Sequence, residues 1–128
     1  MLTITSTANA GLLIETGSVR LLVDGIRRAP FPPFLPTPPD ILAEMLTGPE
    51  TSRWRNIDFL LFTHLHPDHF DADAVQAYLA ANRVREMIAP QAPFAAQGAA
   101  KITAFPLANG AARDFSLGGE ITRRAIGT

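Results

Sequence analysis

Ile57-Asp58-Phe59-Leu60-Leu61-Phe62-Thr63-His64-Leu65-His66-Pro67-Asp68-His69-Phe70-Asp71 is the stretch on which the reading of this chain turns. Its first part is a near-continuous apolar run, the pattern of a strand buried on both faces inside an α/β sheet. Its end is a helix start. Asp71 is a good N-cap, and Phe70 before it can pack on Val75 as a hydrophobic staple. Between strand and helix lie all three histidines of the protein, with Asp68 among them. Imidazole nitrogens and carboxylate oxygens suit Zn²⁺, Fe and Mn²⁺. A lone histidine in such a place is more often a hydrogen-bonded core or surface residue than a ligand. Three within six residues are harder to explain that way, because neutral imidazoles so close need separate partners and charged ones repel. The cluster reads as a metal site, with His64, His66, Asp68 and His69 as its metal-capable side chains.

Upstream, Leu2 and Ile4 alternate with Thr3 and Thr5, a short β pattern with one buried face. Ala8 to Gly11 reads as a turn, and Gly11 to Thr16 as a second strand. Gly17-Ser18 suits a type II′ hairpin loop, with glycine at positive φ, and Val19 to Val23 returns as a third strand. The opening is thus an antiparallel meander, ended by Asp24-Gly25. Residues 30 to 39 hold six of the eleven prolines, an extended connection given apolar weight by Phe31, Phe34 and Leu35. It is either a loop lying on the core or at an interface, or a flap that contacts substrate. Thr37 then reads as the N-cap of a helix with Pro38 at its first position and Asp40 at its third. Ile41, Leu42, Met45 and Leu46 follow at helical spacing, and Gly48-Pro49 stops it.

Downstream, Val75, Tyr78 and Leu79 form the buried stripe of the helix capped by Asp71, which Asn82 can close. Met87 to Ala89 is a short strand, Gln91 to Ala100 an alanine-rich helical segment, and Lys101 to Phe105 another strand. Ala112 to Leu117 and Ile121 to Ile126 are the last strands, joined through Gly118-Gly119.

At 128 residues without cysteine, one domain is the natural count, and neither disulfides nor thiolate ligands are available. A net charge of −1 gives no electrostatic case for nucleic acid or an anionic membrane. No apolar run approaches a membrane span, and the N-terminus lacks the pattern of a signal peptide, so the expected location is cytoplasmic.

His64-Leu65-His66-Pro67-Asp68-His69 resembles the His-x-His-x-Asp-His motif of the metallo-β-lactamase superfamily, a large group of metal-dependent hydrolases. Asn9 to Thr16 and Leu21 to Gly25 resemble that superfamily's opening strands, and the likeness runs from the N-terminus to about Asn82. The six-residue motif is highly specific; the strand pattern alone is weak. The resemblance implies an α/β (α+β) fold, the N-terminal half of an αββα sandwich, with a mixed sheet and helices on one face. Residues 1–128 would form a single partial domain. It further implies that His64 and His66 bind one metal and Asp68 and His69 a second, most simply zinc, with manganese or iron as alternatives. Asp68 would also orient or deprotonate the attacking water. Such a pair of ions can hold a hydroxide near neutral pH and polarise an ester, lactone, phosphoester, thioester or amide of a small-molecule substrate. Asp24 would lie close beneath the site and orient ligand imidazoles; the other reading of Asp24 is a turn residue bonding its own backbone.

The chain departs from the superfamily pattern after His69. No histidine follows it, and Asp114 is the only aspartate beyond Asp73. The later ligands, two further histidines and a bridging aspartate, are therefore missing from these residues, and two histidines fall short of the three protein ligands usual for catalytic zinc. The chain is expected to stop just before the third histidine ligand. The inner face of its sheet would then lack a covering layer and favour a homo-oligomer. The expected function is a metal-dependent hydrolase. The alternative is a catalytically inactive half-domain serving assembly or weak metal binding, and a nuclease-like role is disfavoured by the absence of a basic patch.

Overall fold

The computed structural model describes residues 1–7, 11–29, 32, 33, 35–63, 65, 70–91 and 101–104, together with the backbone of 112–116 and 122–126. A six-stranded sheet runs in sequence order through β1 (Thr3–Ser6), β2 (Leu12–Glu15), β3 (Arg20–Val23), β4 (Phe59–Leu61), β5 (Glu86–Ala89) and β6 (Lys101–Ala104). The β1–β2–β3 part is antiparallel, as the meander reading expects, and β3 to β6 pair in parallel. Helices α1 (Pro39–Thr47) and α2 (Ala72–Ala81) belong to the β3–β4 and β4–β5 crossovers. The fold is α+β with a mixed sheet. Strands β7 (Ala112–Ser116) and β8 (Thr122–Ile126) form a separate antiparallel pair whose register sets Asp114 opposite Arg124. The helix expected over Gln91 to Ala100 lies outside the described residues beyond Gln91, as do residues 8–10 of the first turn and the junction at 118–119.

Strand alternation sorts the core into two sides. On one, Leu13, Leu22, Leu60 and Met87 pack in one cluster with Met45 of α1 and Val75, Tyr78 and Leu79 of α2. On the other, Leu21, Val23, Phe59, Leu61 and Ile88 form a second cluster with Ile14 at its margin. Both sides of β4 are therefore buried, as its apolar run requires. The expectation of an uncovered inner face fails across β3 to β5, where these second-side residues are all buried. The buried face expected of Leu2 and Ile4 is absent at β1. Ile4 is 58% exposed and Leu2 60%, because β1 is the sheet's edge and the core thins towards it.

Local chemistry corrects two further expectations. Gly17 is outside the left-handed region, so the β2–β3 turn is not type II′. The Thr16 hydroxyl instead accepts from the amides of Val19 (3.1 Å) and Ser18 (3.4 Å) and holds the turn without a special glycine. Thr37 does not cap α1, whose N-cap is Pro38 with no side-chain cap bond. Its hydroxyl donates to the Gly25 carbonyl (2.8 Å) and accepts from the Arg27 amide (2.9 Å). Glycine is required at position 11, where a Cβ would meet the Thr7 hydroxyl and stand 3.1 Å from the Gly25 backbone.

Two polar side chains tie the helices to the segment before β4. The Tyr78 hydroxyl donates to the Trp54 carbonyl (2.8 Å) and accepts from the Ile57 amide (3.2 Å). Burial pushes its pKa up to about 12, which keeps the donor proton in place. The buried Arg55 guanidinium donates to the carbonyls of Gly48 (2.7 Å) and Ala81 (2.8 Å) and to Asn82 Oδ1 (2.8 Å), closing the C-terminal ends of α1 and α2 together. Among the described residues no helix is long and apolar enough to cross a membrane.

Candidate metal centre

Parallel pairing of β3 with β4 brings the carboxyl ends of both strands to one edge of the sheet, the place where α/β sheets ordinarily receive ligands. The chain leaves β3 at Asp24 and leaves β4 at Phe62-Thr63. Asp24 is buried, with a left-handed φ of 49°, a conformation that costs an ordinary residue about 1–2 kcal/mol. Its amide donates to the Leu61 carbonyl (3.0 Å). Its Oδ1 accepts from the Thr63 amide (2.9 Å) and its Oδ2 from the Thr63 hydroxyl (2.6 Å). These bonds over-determine the position of Asp24, which is how a strained backbone conformation is held. Asp24 thus has the backbone of a turn residue, and its carboxylate reaches 39 residues along the chain to hold the residue before His64.

The far end of the motif is held in the same way. Asp71 is the N-cap of α2, accepting from the Ala74 amide through Oδ1 (3.1 Å). Its Oδ2 accepts from the amides of Arg28 and Ala29, both at 2.9 Å. Burial pulls the Asp71 pKa upward, but the three amides of Ala29, Arg28 and Ala74 and the charge of Arg28 outweigh it and hold the carboxyl below its ordinary value. One carboxylate therefore fixes both the start of α2 and the chain that follows β3.

Between these ties the loop is closed at its base. The buried rings of Phe62 and Phe70 meet edge to face, 5.0 Å between centroids at 90°, an arrangement favoured by the ring quadrupoles. Leu65, between the first two histidines, is half-buried and packs on the main core cluster. Phe62 and Phe70, at the two ends of the motif, thus meet in the core, and Leu65 packs on the same cluster.

The expected ligands His64, His66, Asp68 and His69 lie outside the described residues. Among the described residues no group of three or more His, Cys, Asp or Glu side chains is placed to hold a metal; every histidine of the chain is outside that set. Asp24 is described, at the end of β3 with its carboxylate on Thr63; the imidazoles it is expected to orient lie outside the described residues. The proline-rich segment begins at the Asp71 tie and ends at the Thr37 clip. Pro32, Pro33 and Leu35 within it are exposed, Leu35 by 68%, so these positions do not lie on the core. Pro30, Phe31 and Phe34 are outside the described residues. Sequence reasoning missed the second oxygen of Asp71, the Thr37 clip and the Phe62–Phe70 contact. Only the last left a signal, a phenylalanine at each end of the motif. Comparison with protein-family models, curated proteins and solved structures returns no match.

Proposed function

We propose that this chain is a metal-dependent hydrolase of metallo-β-lactamase type, or the part of one that carries the His-x-His-x-Asp-His motif. The observation that carries the reading is the donor set, three imidazoles and one carboxylate within six residues, on a segment whose two ends are tied by Asp24 and Asp71. Nitrogen and oxygen donors without thiolate fit zinc, manganese or iron. His64 and His66 would hold one ion, and Asp68 and His69 a second. Such an ion, when bound, supplies an acidified water and an electrophile for the scissile bond. The chain's own contribution is position. Ligands on a loop free to drift would lose affinity to conformational entropy, whereas anchored ends keep them near the geometry a metal needs. Asp68 would hold the attacking water by a hydrogen bond or take its proton. The substrate class is a small molecule with an ester, lactone, phosphoester, thioester or amide bond.

A second reading rests on the histidine count. With only three in the chain, the site can be incomplete and the module inactive, serving assembly or weak metal binding. Hydrolysis of generic ester and phosphodiester reporters separates the two. The hydrolase reading expects turnover with added Zn²⁺ or Mn²⁺ that is lost in His66→Ala while the thermal melt is kept. Absence of turnover with either metal supports the inactive module.

A further inference from the structure

We propose that the free edge of β1 is a homodimer interface, in which two copies pair antiparallel about Ile4 and join their sheets into one. Among the described residues, strand β1 is the end of the sheet order and pairs with β2 alone. The Thr7 amide donates to the Gly11 carbonyl, which makes Thr7 and Gly11 a hydrogen-bonded pair. Antiparallel ladders alternate, so Thr5 and Thr3 also turn their backbone groups towards β2, and Ser6 and Ile4 turn theirs to the open edge. Open edges are ordinarily guarded by charge, proline or a bulge. The other edge strand, β6, carries Lys101. The first fourteen residues carry no charged side chain at all, and β1 itself, Thr-Ile-Thr-Ser, contains no proline.

The uncharged edge is compatible with itself, which makes a second copy of this chain the proposed occupant. A two-fold axis perpendicular to the sheet through Ile4 sets Ile4 opposite Ile4 of the second copy, Thr3 opposite Thr5, and Leu2 opposite Ser6. Each Ile4 then exchanges both open backbone bonds with its mate. On the same face, Ile4 pairs with Ile14 and Ser6 with Leu12 inside each chain. Dimerisation therefore draws Ile14, Ile4 and their two mates into one apolar row, with Leu2 and Leu12 of the other copy on either side of its Ser6. Three of these side chains are exposed, Leu2 at 60%, Ile4 at 58% and Leu12 at 37%. No like charges are brought together. A strand of four residues makes a small interface, so the dimer is weak and concentration-dependent.

Sedimentation velocity on the untagged chain tests this, with Ile4→Pro and Ile4→Lys beside it. Proline removes only an amide that points away from β2, and lysine sets two charges against each other at the axis. The wild type is expected to move from monomer towards dimer across the micromolar to millimolar range, and both variants to stay monomeric with wild-type melts. Amide exchange gives an independent reading that needs no variant: protection of Ile4 and Ser6 rises with concentration while that of Thr3 and Thr5 does not. A wild type that stays monomeric, a dimer that survives in both variants, or protection without concentration dependence overturns the proposal.

Discussion

At Asp71 three backbone amides converge on one carboxylate, and the consequence is a pH-dependent tie between α2 and the chain after β3. Asparagine is as good an N-cap as aspartate, so Asp71→Asn keeps the α2 cap. It turns an amide donor towards the Arg28 and Ala29 donors, however, and that tie is lost. We expect a loss of about 1–2 kcal/mol at neutral pH, read from the urea midpoint. The folded pKa lies below the unfolded value, so the stabilisation is present above the ordinary carboxylate value and disappears as pH falls through the folded one. The gap between wild type and variant should therefore hold near neutrality and close in acid, below the ordinary 3.8. A gap unchanged across that range would assign the effect to packing instead.

Among the elements, the two helices share one fastening. Arg55 lies where the carbonyl ends of α1 and α2 meet, and helix C-termini carry partial negative charge that a guanidinium offsets. Arg55→Met keeps the apolar stem and removes the donors. It is expected to lower stability by about 2–3 kcal/mol, with an unchanged urea m-value if the native topology is retained. A change below half a kilocalorie would mean water replaces the guanidinium. The elements themselves were legible where the signal is local. Asp71 and Asn82 bracket α2 as its caps, and the apolar run at Phe59 marks a strand with no solvent side. Thr37 misled because its hydroxyl has partners at Gly25 and Arg27, across a proline-rich segment that local cap rules do not span. Gly17 misled because a neighbouring threonine supplied the turn's hydrogen bonds. The alternation of Leu2 and Ile4 marked a strand correctly, but alternation carries no information about whether a strand is at the edge.

For the whole molecule, the candidate site follows from where parallel strands end. The metal-type donors are legible in the sequence because the chemistry of imidazole and carboxylate is carried by residue type alone. Their supports are not. The Asp24–Thr63 link joins residues far apart in the chain, and the Asp71 link returns from α2 to the chain after β3, so both depend on the sheet being assembled. The same assembly buries the second face of β3 to β5 and leaves Leu2 and Ile4 exposed at the β1 edge, where self-association is proposed.

Metal content measured by elemental analysis, on chain of verified intact mass with His66→Ala beside it, tests the central claim most directly. The account predicts one or two equivalents of zinc, manganese or iron per chain, lost in the variant while its fold is kept. Metal-free wild type after exposure to these ions, or equal metal in both proteins, would contradict it.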